Sequence, residues 1–434
     1  MKLFMQSLGC AKNQVDSEML LGVLKENITL VEDPFDAELM IVNTCAFIEP
    51  ARKEAIDTIF ELVGVKEQTN SKLIVCSCLP QRYKEKIVQL IPEVDRFVQI
   101  DEYGNLGQIV NQVIQSNYSY QKKFDPLNRI YSTPNYMKYV KIAEGCMNRC
   151  AFCAIPLIRG NLKSRPIEDI VTEVKKEVSE GAYEINLVAQ DTTKYGFDLY
   201  HRHALIDLLK ELIQIEGDFK IRLLYLYPEL VSDELIDLIK NSPKIMKYFD
   251  IPIQHSEDKL LKAMLRRSNK QMIVDLLHKI KEQIPNATLR TTLMVGFPYE
   301  EEVDVDQMIE FIQDIRFDHM GAFTFSLEEN TPACKYPNII PEETKQKRYE
   351  RLMEAQSKIA LELKQQKIGT ILQDVFIIGY DEESYMYVAR SEAFAPDEID
   401  GCIYVAAKAE LTLGQRIAVK ILDADAYTLT GEQV

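Results

Sequence analysis

The chain has 434 residues, 46% of them apolar and 27% charged, with a net charge of −16. These proportions are those of a soluble globular protein of two or three domains. They exclude a membrane-spanning chain, since no run approaches the ~20 apolar residues a span needs, and they speak against a large phosphate-tracking surface. The N-terminus has no signal-peptide layout, and nine cysteines without one suggest metal or chemistry in the cytoplasm, not a disulfide framework.

Residues 2–7, 38–43 and 72–75 are short apolar runs that predict strands, and helical patterns follow at 16–25, 50–63 and 81–90. That alternation implies a parallel sheet with covering helices. Each run ends at a cysteine: Cys10, Cys45, and either Cys76 or Cys78. Ligands of open α/β sheets sit beyond the carboxyl ends of the strands, so three thiols there can converge on one site. Cys76 and Cys78 are two apart and point the same way while a strand lasts, so spacing does not choose between them.

Residues 124–135 carry two prolines and read as a linker. Six strand patterns follow, at 138–143, 184–189, 220–227, 248–253, 288–295 and 319–326, with amphipathic helical stretches between them. Six serial β–α units suggest an incomplete barrel, with its chemistry at the strand carboxyl ends. After the first strand comes Cys146-Met-Asn-Arg-Cys150-Ala-Phe-Cys153. Three thiolates so spaced can hold three corners of a cubic iron–sulfur cluster and leave one iron open, because full ligation takes four. A zinc site is the rival reading, but zinc needs a fourth ligand, and no histidine is near in sequence. Gln190 to Thr193, Tyr227-Pro228, Gln254-His255 and Gly296-Phe297-Pro298 fall at other strand ends and are expected to ring the same pocket, with His255 read as structural.

A charged amphipathic helix is predicted at 341–366. Residues 367–434 show short strands at 373–378, 386–390, 402–406 and 416–422 between glycine turns, the pattern of a small barrel. This module holds five Lys and Arg against twelve Asp and Glu, a net of −7. An acidic face repels RNA phosphates and suits a basic protein, with Asp397, Glu398 and Asp400 as docking candidates.

The order of parts resembles the radical-SAM methylthiotransferases over essentially the whole chain. Ser7-Leu-Gly-Cys-Ala-Lys-Asn-Gln-Val-Asp-Ser-Glu18 looks like the opening motif of that family, and Asn43-Thr-Cys-Ala-Phe-Ile48 like its second. Cys78-Leu-Pro-Gln-Arg-Tyr83 looks like the third and selects Cys78 over Cys76. The central motif extends to Arg159-Gly160 and Ser164-Arg165-Pro166. Ala189 to Gly196, Leu224 to Pro228, Tyr387 to Ser391, Ala395-Pro396 and Ile399 to Gly401 resemble the branch that modifies a ribosomal protein. Gln14, Tyr299 and Asn330 depart from the pattern, the last two standing where glycine is expected.

The resemblance implies an α/β protein in three parts. These are an N-terminal parallel α/β domain (1–123) with an auxiliary cluster, a partial (β/α)6 radical-SAM barrel with a trailing helix (136–366) after the 124–135 linker, and a small C-terminal TRAM β-barrel (367–434). It implies two [4Fe-4S] clusters, one on Cys146, Cys150 and Cys153 and one on Cys10, Cys45 and Cys78. S-adenosylmethionine (SAM) would meet the backbone at Phe152, Gln254, Arg290 and the loop at Gly296. The first cluster would cleave SAM to a 5′-deoxyadenosyl radical, and the second would present the sulfur that becomes a methylthio group. The implied substrate is the β-carbon of an aspartate in the twelfth small-subunit ribosomal protein, a basic partner met free or in the assembled subunit. An external electron donor and a sulfur donor are also implied, with no membrane and no direct tRNA binding. The alternatives are a tRNA methylthiotransferase acting on a modified adenosine, and a non-catalytic metal or electron carrier.

Overall fold

The computed structural model describes residues 1–120, 123–397 and 399–434. Glu398 lies outside the described residues. Five parallel strands open the chain, in the order Thr29–Leu30, Lys2–Ser7, Leu39–Thr44, Lys72–Ser77 and Arg96–Val98. The central strand, Leu-Met-Ile-Val-Asn-Thr, is buried at every position, as a strand covered on both faces must be. Alternate side chains feed two cores. Leu39, Ile41, Ile74 and Cys76 pack under Leu20, Leu24, Leu106 and Val110. Met40, Val42, Leu73 and Val75 pack under Ile59, Leu62, Leu79 and Ile87 on the other face.

This pattern separates the two competing cysteines. Cys76 is locked into a core, whereas Ser77 takes a left-handed φ of 85° and turns Cys78 away to begin the helix Cys78–Tyr83. The alternation rule stops where the strand does.

The second unit runs Met137–Lys141, Glu184–Val188, Lys220–Leu223, Tyr248–Asp250, Thr288–Val295 and His319–Thr324, adjacent in chain order and parallel. Its two three-stranded sheets meet at the Ile221–Ile245 bridge. Helices Ile167–Ser179, Leu205–Leu212, Asp233–Asn241, Lys270–Gln283 and Glu302–Ile315 bury their apolar stripes against the strands. The helix Asp258–Ala263 was not predicted. Tyr299 (φ 76°) and Asn330 (φ 65°) both occupy the left-handed region, the conformation glycine adopts most freely. Gln14 faces outward and donates to Ser132 Oγ at 3.0 Å.

Five strands close the C-terminal barrel: Ile371–Asp381, Met386–Arg390, Ile403–Ala406, Arg416–Ala424 and Leu429–Gln433. Buried charges clasp it to the larger barrel. Glu184 sits 2.8 Å from Arg222 and 2.6 Å from Arg390, and all three are buried. Asp400 accepts from Tyr248 at 2.5 Å and pairs with Arg290 at 3.0 Å. The expected docking role is corrected for Asp400, which is buried and faces inward; Asp397 is exposed while accepting a hydrogen bond from Tyr139. Residues 124–135 are irregular but not a loose tether. Arg129 is buried there between Glu18 and Glu173, pinning the first sheet's helix to the barrel.

Candidate active site

A cavity of about 320 Å³ lies where the carboxyl ends of the first sheet face those of the barrel strands. Cys10, Cys45, Cys78, Cys146, Cys150 and Cys153 all line it, with Phe152, Gln254 and Arg290. Gly296 is not among its lining residues. A Cβ there would sit 2.3 Å from the Lys345 side chain, so this glycine serves close packing of the loop.

Polar side chains hold the first three cysteine loops together. Asn13 Nδ2 donates to the Leu8 carbonyl at 2.9 Å and the Thr44 carbonyl at 3.1 Å, tying the loop of Cys10 to that of Cys45. Thr44 Oγ1 donates to the Cys76 carbonyl at 2.7 Å and ties in the third. Gly9 makes the approach possible: it has φ 89°, and a Cβ there would lie 2.7 Å from Cys45 Cβ. In the barrel, Cys146 N–H donates to the Gly160 carbonyl at 3.1 Å and Cys153 N–H to the Cys150 carbonyl at 3.0 Å, folding the triplet into a compact loop.

Each set of thiols meets a buried guanidinium. Arg159 Nη2 lies 3.4 Å from Cys78 Sγ, and the same side chain bonds Asn13, Asp16, Ser77 and Glu144, spanning sheet and barrel. Arg266 Nη1 lies 3.8 Å from Cys150 Sγ, and its guanidinium stacks 4.1 Å over the Tyr227 ring. Burial pushes the Cys45 thiol up to about 12, helped by the neighbouring Cys78, and raises Cys146 and Cys153 as well. Cys10 is exposed where it lines the cavity, with protein packed around the site. Burial pushes its thiol up, but Lys12 and Arg159 outweigh that and hold it below the ordinary range.

Among the described residues no three His, Cys, Asp or Glu side chains gather closely enough for one metal ion. Zinc draws its ligands to a single point, whereas the thiolates of a four-iron cluster each hold a different iron. Two sets of three thiols, each beside a cation, suit two such anionic clusters. Among the described residues no fourth cysteine or histidine joins the lining, which leaves an open corner in each set.

Strand-end residues complete the wall. Tyr225 (φ 62°) and Gln254 (φ 75°) are non-glycine residues in the left-handed region, strain of the kind stored at functional sites. Asp250 holds Tyr225 in place by accepting its N–H at 2.9 Å while pairing with Arg290. His255 is wholly buried, its Nδ1 accepting from Glu257 N–H at 3.0 Å, away from the cavity lining. Asp191 accepts from Asn148 and Thr193, bracing the cysteine triplet from behind. Lys12, Tyr225 and Arg266 were not singled out from the sequence. Lys12 lies inside a motif recognised for its cysteine, Tyr225 lies inside the Leu224 to Pro228 stretch without being singled out there, and nothing local marks Arg266.

An open six-stranded barrel with a cysteine triplet after its first strand, facing three more thiols on a parallel sheet, defines a radical-SAM protein with a second thiol-lined site. Residues 2–99 match the Uncharacterized protein family UPF0004, residues 140–312 the Radical SAM superfamily and residues 368–434 the TRAM domain. The chain is 43% identical over 440 residues to the ribosomal protein uS12 methylthiotransferase RimO of Clostridioides difficile, covering 100% of this chain and 98% of that protein. It is 44% identical to RimO of Desulforamulus reducens, covering 98% of each. The chain belongs to the RimO family. Among solved structures, the radical S-adenosylmethionine methyltransferase TsrM from Kitasatospora setae shares the fold with a TM-score of 0.58 at 12% identity, over 86% of this chain and 77% of that one. Among the described residues no helix is long and apolar enough to cross a membrane.

Proposed function

We propose that this protein is a radical-SAM transferase that adds a methylthio group to the β-carbon of an aspartate in ribosomal protein uS12. One observation carries the reading: both sets of three cysteines open into a single cavity, in a chain whose full-length relatives are uS12 methylthiotransferases. Cys146, Cys150 and Cys153 would hold one [4Fe-4S] cluster, and Cys10, Cys45 and Cys78 the other. When bound, these groups supply the electron that cleaves SAM and the sulfur that is transferred.

The chain supplies the arrangement. Arg159 and Arg266 balance thiolate charge where water is excluded. Phe152, Gln254 and Arg290 form the wall available to SAM, and Asp250 with Asp400 fixes the Arg290 guanidinium. Holding reactants in a near-attack geometry accounts for a large share of such rate enhancement. Cluster loading releases protons, because the raised thiols of Cys45, Cys146 and Cys153 must ionise to bind iron. The address is the cytoplasm, where ribosomal proteins are made, and the electron and sulfur come from outside the chain.

The test is anaerobic incubation of the reconstituted protein with SAM, dithionite, sulfide and uS12, read by intact mass and peptide mapping. The expected result is one methylthio group on an aspartate. Deoxyadenosine without that gain moves the search to the modified adenosine of tRNA. No deoxyadenosine from a fully loaded protein overturns the reading.

A further inference from the structure

Four cations line the cavity: Lys12, Arg159, Arg266 and Arg290. Three are committed. Arg159 pairs with Asp16 and Glu144. Arg290 pairs with Asp250 and Asp400. Arg266 faces Cys150 Sγ, the Tyr227 ring and the Pro252 carbonyl.

Lys12 is held more weakly than these three. It is 7% exposed, and among the described residues no carboxylate is in ion-pair contact with it, the Cys10 thiol and Glu144 acting on it only through space. Its ammonium makes one long hydrogen bond, 3.4 Å to the Ala189 carbonyl, and lies 4.1 Å from the centre of the Tyr225 ring. A buried ammonium so weakly held costs stability unless an anion completes its shell. Its position is also specific. Lys12 stands two residues from Cys10, reaches across to a barrel strand end, and rests on a ring that strained backbone presents (Tyr225, φ 62°).

We infer that Lys12 takes the side-chain carboxylate of the substrate aspartate and sets which side chain the cavity accepts. The inference rests on the uS12 reading above. The chemistry suits it, because the β-carbon of aspartate is bonded directly to the carboxylate carbon. A cation that fixes the carboxylate fixes the reacting carbon one bond away, beside the thiol set of Cys10. The ring of Tyr225 holds the ammonium from one side by cation–π attraction and leaves its remaining protons for a ligand. Lys12 is thus a specificity-determining residue, and the assay reads binding as well as turnover.

The experiment measures the affinity of reconstituted, anaerobic holoenzyme for labelled uS12 and for uS12 with its target aspartate changed to asparagine. Wild type, Lys12→Met and Lys12→Arg are compared at matched iron and sulfide content. Wild type is expected to prefer the aspartate form by about tenfold to a hundredfold, the range of a charge-assisted hydrogen bond. Lys12→Met abolishes the preference and raises KM more than it lowers kcat, while Lys12→Arg keeps part of the preference. Wild type that modifies uS12 while Lys12→Met retains the preference overturns the role of Lys12 alone, as does an equal loss of affinity for both forms. Wild type that neither modifies uS12 nor distinguishes the two forms overturns the uS12 reading itself.

Discussion

Replacing Glu184 by Gln keeps the shape of the side chain but removes the anion between Arg222 and Arg390, where the two barrels meet. Burial alone would raise the Glu184 carboxyl, yet Arg390 and then Arg222 hold it down, from the ordinary 4.5 to about 2. At ~1.4 kcal/mol for each tenfold change in proton affinity, that fall corresponds to about 3 kcal/mol. Breaking a buried pair from one side costs about 3–5 kcal/mol, which agrees. Both barrels together comprise ~300 residues, and an unfolding entropy of ~2.1 cal/mol/K per residue turns 3 kcal/mol into a Tm loss of roughly 5 °C. Because the folded-state value lies below the ordinary one, the stabilisation is full above about pH 4.5 and is lost as pH falls toward about 2. Calorimetry of the metal-free protein and of Glu184→Gln should therefore show a gap near pH 7 that narrows progressively below about pH 4.5. An unchanged Tm at neutral pH, or a gap that does not narrow in acid, refutes the assignment of this charge cluster as a clasp.

Exchanging Cys10, Cys45 and Cys78 for Ala is expected to halve the bound iron and abolish methylthio transfer while deoxyadenosine still forms; the same change at Cys146, Cys150 and Cys153 should abolish both products, by iron analysis and chromatography. Gly9→Ala should mimic the first set, because its Cβ would fall 2.7 Å from that of Cys45 at a φ of 89°; a full iron complement would refute the close-approach argument. Arg159→Gln leaves the buried Asp16 and the half-buried Glu144 short of a partner and should cost about 3–5 kcal/mol, seen as a lower melting temperature of the metal-free protein.

The cysteine triplet was legible because its spacing is set along the chain, and the barrel because six apolar runs recur with helical stripes between them. The third N-terminal thiol was legible only through its motif. Its physical reason, the reversal at Ser77, leaves no mark in composition. Counting charges could not separate Asp400, buried against Arg290 and Tyr248, from the exposed carboxylates of the C-terminal module. The strand Leu429–Gln433 escaped prediction because Leu-Thr-Gly-Glu-Gln has neither alternation nor β-branched density; barrel closure supplies its partners. Lys12 could not be recognised as a weakly held cation of the cavity until the contacts of the three arginines around it were known.

The clasp at Arg290 bears on how the chain comes into being. A ribosome that has emitted residues 1–366 has already produced every thiol of the cavity, yet Arg290 then has Asp250 but not Asp400. The second carboxylate that fixes this guanidinium arrives only with the last stretch of translation. Products truncated there carry all six cysteines of the cavity on a wall whose Arg290 lacks one of its two carboxylates.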